Sequence, residues 1–488
     1  RVLLQGDGKT VTWGSAEFVA AEEMRRSRGH WWDPNNDRLV VARVDVADVN
    51  LWHISAPDDP AKSPQTVRYP AAGTSNADVE LWLVNVHDAT QIQVTWNRST
   101  HPYLVDVRWE DESPLTVTVQ SRDQRSMWVL EVEESSGDTN PVLALDDPDW
   151  VEIVPGTPRK WNGGWLTIED NGHTRSLLHD GTPLSGPDQW VRSLVDVDDA
   201  RLLYTASIDP TIIDLWSYSD NQNECLTSGN GVVQAVASKS VTIIEQSSLE
   251  SSPRVEVEAR GKTWGIESWQ ATPMVTPAVE LLQTESSGIH TAVLFPTDGC
   301  DEPLPVLLDP YGGPHAQRVL RTHNAYLVSQ WFADQGFCVV IADGPGTPGR
   351  GDGWERSVRG DLAHPVLEAQ IEALQSVAER HPDRVDLTRV GIRGWSFGGY
   401  LAALAVIRRP DIFHAAIAGA PVTDWELYDT HYTERYLGHP TEEPDNYRRT
   451  SLLVDAGELQ RPLLLIHGLA DDNVVAAHTL QLSAALLA

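Results

Sequence analysis

The stretch Gly394-Trp395-Ser396-Phe397-Gly398-Gly399-Tyr400 constrains this chain more than any other. A short apolar strand, Arg389-Val390-Gly391-Ile392-Arg393, runs into it, and a helix-forming run from Leu401 to Ile407 leaves it. A serine at such a corner, with glycine two places away on each side, has the pattern of a nucleophile elbow. The glycines have a steric reason. The serine is held in a strained backbone conformation, and side chains beside it would collide with the neighbouring strand and helix. The short match alone arises by chance in long chains, and a plain structural turn is the alternative. The strand before it and the helix after it favour catalysis.

A nucleophilic serine needs a base, and the base needs an orienting acid. At this kind of corner the chain order is serine, acid, histidine. Downstream, Arg461-Pro-Leu-Leu-Leu-Ile-His467-Gly468 reads as a buried strand running into Leu469-Ala470-Asp471-Asp472-Asn473-Val474. An acid just past the end of a strand is where the triad acid belongs, so Asp471 is assigned. A solvated acidic turn is the alternative, because Asp146-Asp147 and Asp198-Asp199 also occur. The histidine is harder to find. Only His478 follows Asp471, and the pattern predicts a helix over Ala477–Leu487 that leads it away from the serine. His467 reads as a structural residue at the strand end. The chain begins at Arg1 without methionine and stops at Ala488 inside that apolar helix. The expectation is that both ends are missing and that the catalytic histidine lies beyond Ala488.

A length of 488 residues allows two large domains. The formal charge of −33 argues against nucleic acid or anionic membranes as partners, because phosphate binding needs a basic surface. Cys225, Cys300 and Cys338 are far apart and lack metal-ligand spacing, and Cys338 lies in the apolar run Phe337–Ile341. No metal or cofactor is expected, and this cysteine usage suits a reducing, cytoplasmic compartment. No apolar run reaches the roughly 18 residues of a membrane span. A signal or anchor segment before Arg1 stays open.

The two halves differ in texture. Up to about residue 272 the chain reads as short strands between polar turns: Arg38–Val44, Val79–Asn85, Leu115–Val119 and Met127–Val132 are examples. Strand groups with aromatics recur at intervals of roughly 40–50 residues, which indicates a β-propeller, with an array of two-sheet sandwiches as the alternative. Thr272-Pro-Met-Val-Thr-Pro277 marks the boundary. Beyond it, strands at Pro305–Asp309, Gly336–Ala342, Val390–Ile392, Ala415–Ala418 and Leu463–Ile466 alternate with helical patterns. Leu367, Ile371, Leu374, Val377 and Ala378 form a core-facing stripe. Continuous apolar strands with intervening helices predict a parallel sheet covered on both faces, and with the elbow an α/β-hydrolase domain. The expected organisation is therefore a β-propeller over 1–272, incomplete at its start, and an α/β-hydrolase domain over 273–488, truncated at its end. Asp343-Gly-Pro-Gly-Thr-Pro-Gly-Arg-Gly351 looks like a phosphate cradle but lacks the Gly-Lys-Ser/Thr ending, and reads as a loop beside the active site.

Together these segments resemble the prolyl oligopeptidase family of serine peptidases, in particular its bacterial dipeptidyl-peptidase IV branch. The resemblance is densest over 15–85 and 304–480 and thin from about 86 to 290. It implies a propeller, a hydrolase domain, and release of dipeptides from peptides with Pro or Ala second. Ser15 to Met24, followed by His30-Trp31-Trp32-Asp33-Pro34, is similar to the segment that carries the branch's double-glutamate clamp, here Glu22 and Glu23. Two carboxylates on one α-ammonium supply charge-assisted hydrogen bonds and fix the distance from the peptide's free end to the cut. Asp309-Pro310-Tyr311-Gly312-Gly313-Pro314 resembles the motif whose tyrosine completes the oxyanion hole; the other donor implied is the backbone N–H of Phe397.

Val422 to Tyr436 resembles the branch's pocket wall. Trp425, Tyr428 and Tyr432 recur at spacings that put them on one helical face. That spacing equally describes an ordinary packed helix. The resemblance implies that Val422, Trp425, Tyr428, Tyr432, Val474 and Phe397 line a flat apolar slot for a pyrrolidine ring, with Asn473 on a substrate carbonyl. Phe397 stands where relatives often have tyrosine, and Pro345 where arginine is common. The arginine that assists the clamp in relatives is expected before Arg1.

The function expected is a serine exopeptidase that acts through an acyl-enzyme on peptides with a free N-terminus, and homodimer formation is left open. Acylaminoacyl or tripeptidyl specificity on the same fold is one alternative. A catalytically silent, partner-binding propeller protein is the other.

Overall fold

Alternation of apolar and polar residues organises the first half of the chain. In Ser126–Val132 the buried residues are Met127, Val129, Leu130 and Val132, close to the period of two that a half-buried strand requires. This strand pairs antiparallel with Thr116–Gln120 on one side and Thr139–Asp146 on the other. Its register slips between Val129 and Leu130, where the partner presents Pro141, a residue with no N–H for the ladder. Tyr103–Arg108 completes a four-stranded sheet whose strands follow chain order. The structure is a computed structural model. It describes residues 3–488 except 57, 58, 60, 112, 173, 228 and 239, so Arg1 lies outside the described residues.

The chain divides into two compact units. The first contains Arg1–Ile153, Asp424–Arg449 and Leu469–Val475. It holds the sheet just described and a second one built on Arg38–Asp45 and Asp78–Asn85, which pair along their whole length. Val40, Ala42, Leu81 and Leu83 of one sheet pack with Leu104, Val117, Val119 and Leu130 of the other. The short helix Phe18–Glu22 lies against this body through Val19, Ala20 and Met24, which pack on Tyr103 and Val105.

The second unit contains Val154–Thr423, Thr450–Gly468 and Ala476–Ala488. Three further four-stranded sheets follow one another, starting at Arg159, Trp190 and Gly231 and ending with Lys262–Ile266. A seven-stranded sheet comes next, in the order Val279–Gln283, His290–Leu294, Cys338–Asp343, Leu304–Leu308, Val385–Trp395, Ala415–Gly419, Leu463–Ile466. The sheet is not wholly parallel, as the sequence led us to expect. Its first two strands pair antiparallel, because the link from Thr284 to Ile289 is far shorter than the dozen or so residues a parallel crossover needs, and the second and third also pair antiparallel. From Cys338–Asp343 onward all pairings are parallel.

Helix His364–Arg380 buries Leu367, Ile371, Leu374 and Val377 of the predicted stripe and leaves Ala378 half-buried. Helix Phe397–Arg408 is buried from Phe397 to Ile407. The strand order reverses around Leu304–Leu308, and the C-terminal ends of strands at such a reversal are where α/β sheets bind ligands. Tyr311 follows one of these ends and Ser396 another. Among the described residues no helix is long and apolar enough to cross a membrane.

Candidate active site

Ser396 sits between strand Val385–Trp395 and helix Phe397–Arg408 with φ 57° and ψ −119°. A non-glycine residue at positive φ costs about 1–3 kcal/mol and persists only where its surroundings hold it. Here the Ser396 N–H donates to the Gly419 carbonyl at 2.9 Å, and the Ser396 carbonyl accepts from the Tyr400 N–H at 2.9 Å. The glycines are forced by close approach. A Cβ on Gly394 would lie 2.2 Å from the Gly398 backbone, one on Gly398 2.6 Å from the Pro310 carbonyl oxygen, and one on Gly399 2.3 Å from the Gly419 carbonyl oxygen. The serine is thus lifted clear of its strand, at the head of a helix whose first N–H groups have no acceptor within the helix.

The loop carrying Tyr311 is fixed to the same corner. Asp309 is buried and accepts from Ser329 Oγ at 2.9 Å, with the guanidinium groups of Arg318 and Arg393 at 3.4 and 3.5 Å. Its N–H donates to the Val340 carbonyl at 2.9 Å. Gly313 lies so close to the elbow that a Cβ there would come within 2.3 Å of the Phe397 ring. The Tyr311 and Phe397 rings lie 5.9 Å apart. The Tyr311 ring and the Phe397 amide thus both belong to the corner that carries Ser396, within the second unit. Val422 is buried in this unit too.

Both imidazoles near the chain's end are also in this unit and are engaged there. His478 is buried; its Nδ1 accepts the Thr423 N–H at 3.2 Å, and burial pushes its pKa down to about 3. His467 Nδ1 lies 2.6 Å from Thr479 Oγ1.

The remaining candidates belong to the first unit. Helix Phe18–Glu22 is short, and a buried ion pair fixes its ends: Arg26 Nη2 donates to Glu17 Oε2 at 2.6 Å and Arg26 Nε to the Leu104 carbonyl at 3.0 Å. This leaves Glu22 exposed and Glu23, capping the helix, half-buried. Burial first, then the charge of Asp429, hold Glu23 well above the usual carboxylate range.

Trp425, Tyr428 and Tyr432 do come together, but not on one helix. Trp425 opens the 3-10 turn Trp425–Leu427, Tyr428 is extended, and helix Thr430–Leu437 starts afresh behind Asp429. The side chains of Asp424 and Asp429 accept N–H groups at the start of the turn and of the helix, so each caps its own segment and breaks the run. The rings still assemble: Trp425 and Tyr432 are stacked within 7° at 5.8 Å, and Tyr428 stands edge-on to Tyr432 at 5.4 Å. Asp471 shapes the loop after Leu463–Ile466 by accepting the N–H groups of Asn473 and Val474 at 3.1 and 2.9 Å. Val474 is buried, and the buried Asn473 Oδ1 has no hydrogen-bond partner among the described residues.

Sequence reasoning missed the charged network beneath these rings. Glu434 accepts two bonds from Arg122, at 2.7 and 2.8 Å, and one from the Gly73 N–H. Arg435 donates to Gln124 at 2.7 Å and to Glu152 at 3.1 Å. Asp429 is fully buried beside Glu23. From this helix the charge that acts on Glu23 is Arg435. The one available signal was the cap: an aspartate just before a helix pattern, three residues ahead of a tyrosine.

The prolyl oligopeptidase family model matches residues 323–488, and the dipeptidyl peptidase IV N-terminal region model matches residues 2–244. Dipeptidyl peptidase 8 of Mus musculus is 26% identical over 582 aligned residues, 96% of this chain and 64% of its own. Dipeptidyl peptidase 8 of Homo sapiens is 43% identical over 180 residues, 36% of this chain and 20% of its own. The chain thus spans less than two thirds of the length of these relatives. The crystal structure of Porphyromonas gingivalis dipeptidyl peptidase 4 superposes with a TM-score of 0.89 at 25% identity, over 99% of this chain and 72% of that one. With a β-propeller region of the dipeptidyl peptidase IV type leading into an α/β-hydrolase domain built around Ser396, this chain belongs to the prolyl oligopeptidase family.

Proposed function

We propose that the protein is a serine exopeptidase that releases dipeptides from peptides with a free N-terminus, with Pro or Ala second. The observation that carries this is the backbone of Ser396, held at positive φ by two hydrogen bonds and by glycines that nothing larger can replace. Strain of this kind is kept where it serves chemistry. In the proposed reaction Ser396 Oγ attacks the carbonyl after the second residue, giving a tetrahedral intermediate and then an acyl-enzyme that water hydrolyses. Tyr311 and the Phe397 N–H stabilise the oxyanion. Glu22 and Glu23 bind the α-ammonium, Asn473 the substrate carbonyl, and Val422, Trp425, Tyr428, Tyr432, Val474 and Phe397 the second side chain. Asp471 orients the histidine that serves as base. A cytoplasmic location rests on the three cysteines, all free thiols.

The test is a matched pair of substrates. The full-length gene product should cleave a Gly-Pro-anilide and leave its N-acetylated form intact, and mass spectrometry of a longer peptide should show dipeptide release. Equal rates on both anilides, or tripeptide products, would defeat the assignment of Glu22 and Glu23. Failure of Ser396 to react with a fluorophosphonate probe would defeat the peptidase reading itself.

A further inference from the structure

Asp429 is out of contact with solvent, and both of its oxygens are accounted for within the first unit. Oδ1 accepts the Tyr432 N–H at 2.9 Å and so caps helix Thr430–Leu437. Oδ2 is sealed from solvent and meets no N–H or hydroxyl donor among the described residues. This side chain is instead within hydrogen-bonding reach of the Glu23 carboxyl, whose proton it accepts. The aspartate cannot move away from it. Its backbone bridges Ala71, the Thr430 N–H donates to the Pro70 carbonyl at 2.9 Å, and the Ala72 N–H donates to the Tyr428 carbonyl at 2.8 Å. The Tyr69 ring beside it packs on Phe18 at 4.9 Å, at the start of the glutamate helix.

Two carboxylates have only acceptor oxygens, so a hydrogen bond between them requires a proton. We propose that Glu23 and Asp429 form a proton-sharing carboxyl pair, in which Asp429 is a positioning residue that keeps Glu23 in place while the amine site is empty and gives up the shared proton when a substrate ammonium arrives. This rests on the reading of Glu22 and Glu23 as the amine site. The other charges acting on the pair are Glu22, which disfavours ionisation of both members, and Arg435, which favours ionisation of Glu23. The phenols of Tyr69 and Tyr428 lie alongside. Burial lifts Asp429 to about 6, so both carboxyls of the pair titrate above the usual carboxylate range. The site thus greets the ammonium with one negative charge fewer than three ionised carboxylates would carry. Binding completes the charge by expelling a proton to solvent.

Asp429→Asn is the informative variant. Asparagine caps helices as well as aspartate does, and its amide can donate to Glu23 with no titratable proton. Calorimetric titration of the protein with the dipeptide Gly-Pro, in two buffers of different ionisation enthalpy, counts the protons released. Wild type should release about one proton per site at weakly acidic pH, and Asp429→Asn close to none. With a Gly-Pro-anilide, kcat/KM of the wild type should fall about tenfold per pH unit below the pair's titration, mainly through KM, and the variant should lose that limb relative to wild type. Equal proton release in the two proteins would overturn the proposal. Infrared difference spectra over the same pH range keep the question separate from catalysis. A protonated-carboxyl C=O band present in wild type and lost in Asp429→Asn supports the pair even where no anilide is cleaved, a result that would count against the peptidase reading alone. Absence of the band in wild type would refute the shared proton.

Discussion

Ser396 combines backbone strain with the proposed nucleophile in one residue. Its φ of 57° is comfortable for glycine and costly for serine. Ser396→Gly should therefore raise stability by about 1 kcal/mol in urea unfolding while abolishing fluorophosphonate labelling. An unchanged or lower midpoint would show that the hydroxyl contributes more to the fold than the backbone strain takes away. Tyr311 makes a different prediction. Tyr311→Phe keeps the ring that lies 5.9 Å from Phe397 and removes only the donor, so kcat should drop roughly 10²–10³-fold with little change in KM. A loss confined to KM would move Tyr311 from the oxyanion to substrate binding. The elbow was legible in the sequence because close backbone approach leaves glycine as the only solution at Gly394, Gly398 and Gly399. Asp429 was not legible as a partner of Glu23. Its role depends on a carboxyl brought from the opposite end of the chain, and local spacing carries no trace of such a contact.

Among the elements, the smallest helix depends most on its support. Phe18–Glu22 is far too short to hold together by its own hydrogen bonds. The Arg26–Glu17 pair, with each side chain 4% exposed, is its anchor. Removing one partner of such a pair leaves the other charge buried and alone, so Arg26→Ala should cost about 3–5 kcal/mol. The variant should also raise KM for free-amine peptides, because Glu22 and Glu23 lose their fixed direction. A small stability loss with unchanged KM would show that the packing of Val19, Ala20 and Met24 is sufficient. The aromatic segment shows where periodicity misleads. Spacings of three and four suggested one continuous helix through Trp425 and Tyr432. Two aspartate caps divide the run, because a carboxylate that accepts the N–H groups ahead of it competes with helix continuation. The rings converge all the same, since they are gathered by packing and not by helical register. Strands were easier: Arg38–Asp45, Asp78–Asn85 and Leu463–Ile466 appear within a residue of their apolar runs.

For the molecule as a whole, acidity is the condition to examine. His478 has its pKa pushed down to about 3 by burial, whereas an unfolded histidine titrates near 6.5. The folded state therefore holds this ring neutral. Its contribution to stability is complete above about pH 6.5 and is lost as pH falls toward 3, by up to roughly 1.4 kcal/mol per pH unit. His478→Gln, which keeps an acceptor for the Thr423 N–H, should flatten the slope of unfolding free energy against pH over this window. An identical slope would assign the acid sensitivity to carboxylates alone. The order of sheets along the chain was readable from alternating texture. The grouping of the chain into units was not, because it depends on which distant pieces pack together. The first unit needs Asp424–Arg449 and Leu469–Val475 as well as everything up to Ile153. A ribosome delivers those pieces long after Ile153. At roughly 5–20 residues per second, the stretch up to Ile153 waits on the order of tens of seconds for the segments that complete its unit. In that interval its sheets, formed but still lacking the segments packed on them, are the form of the protein that chaperones and proteases meet first.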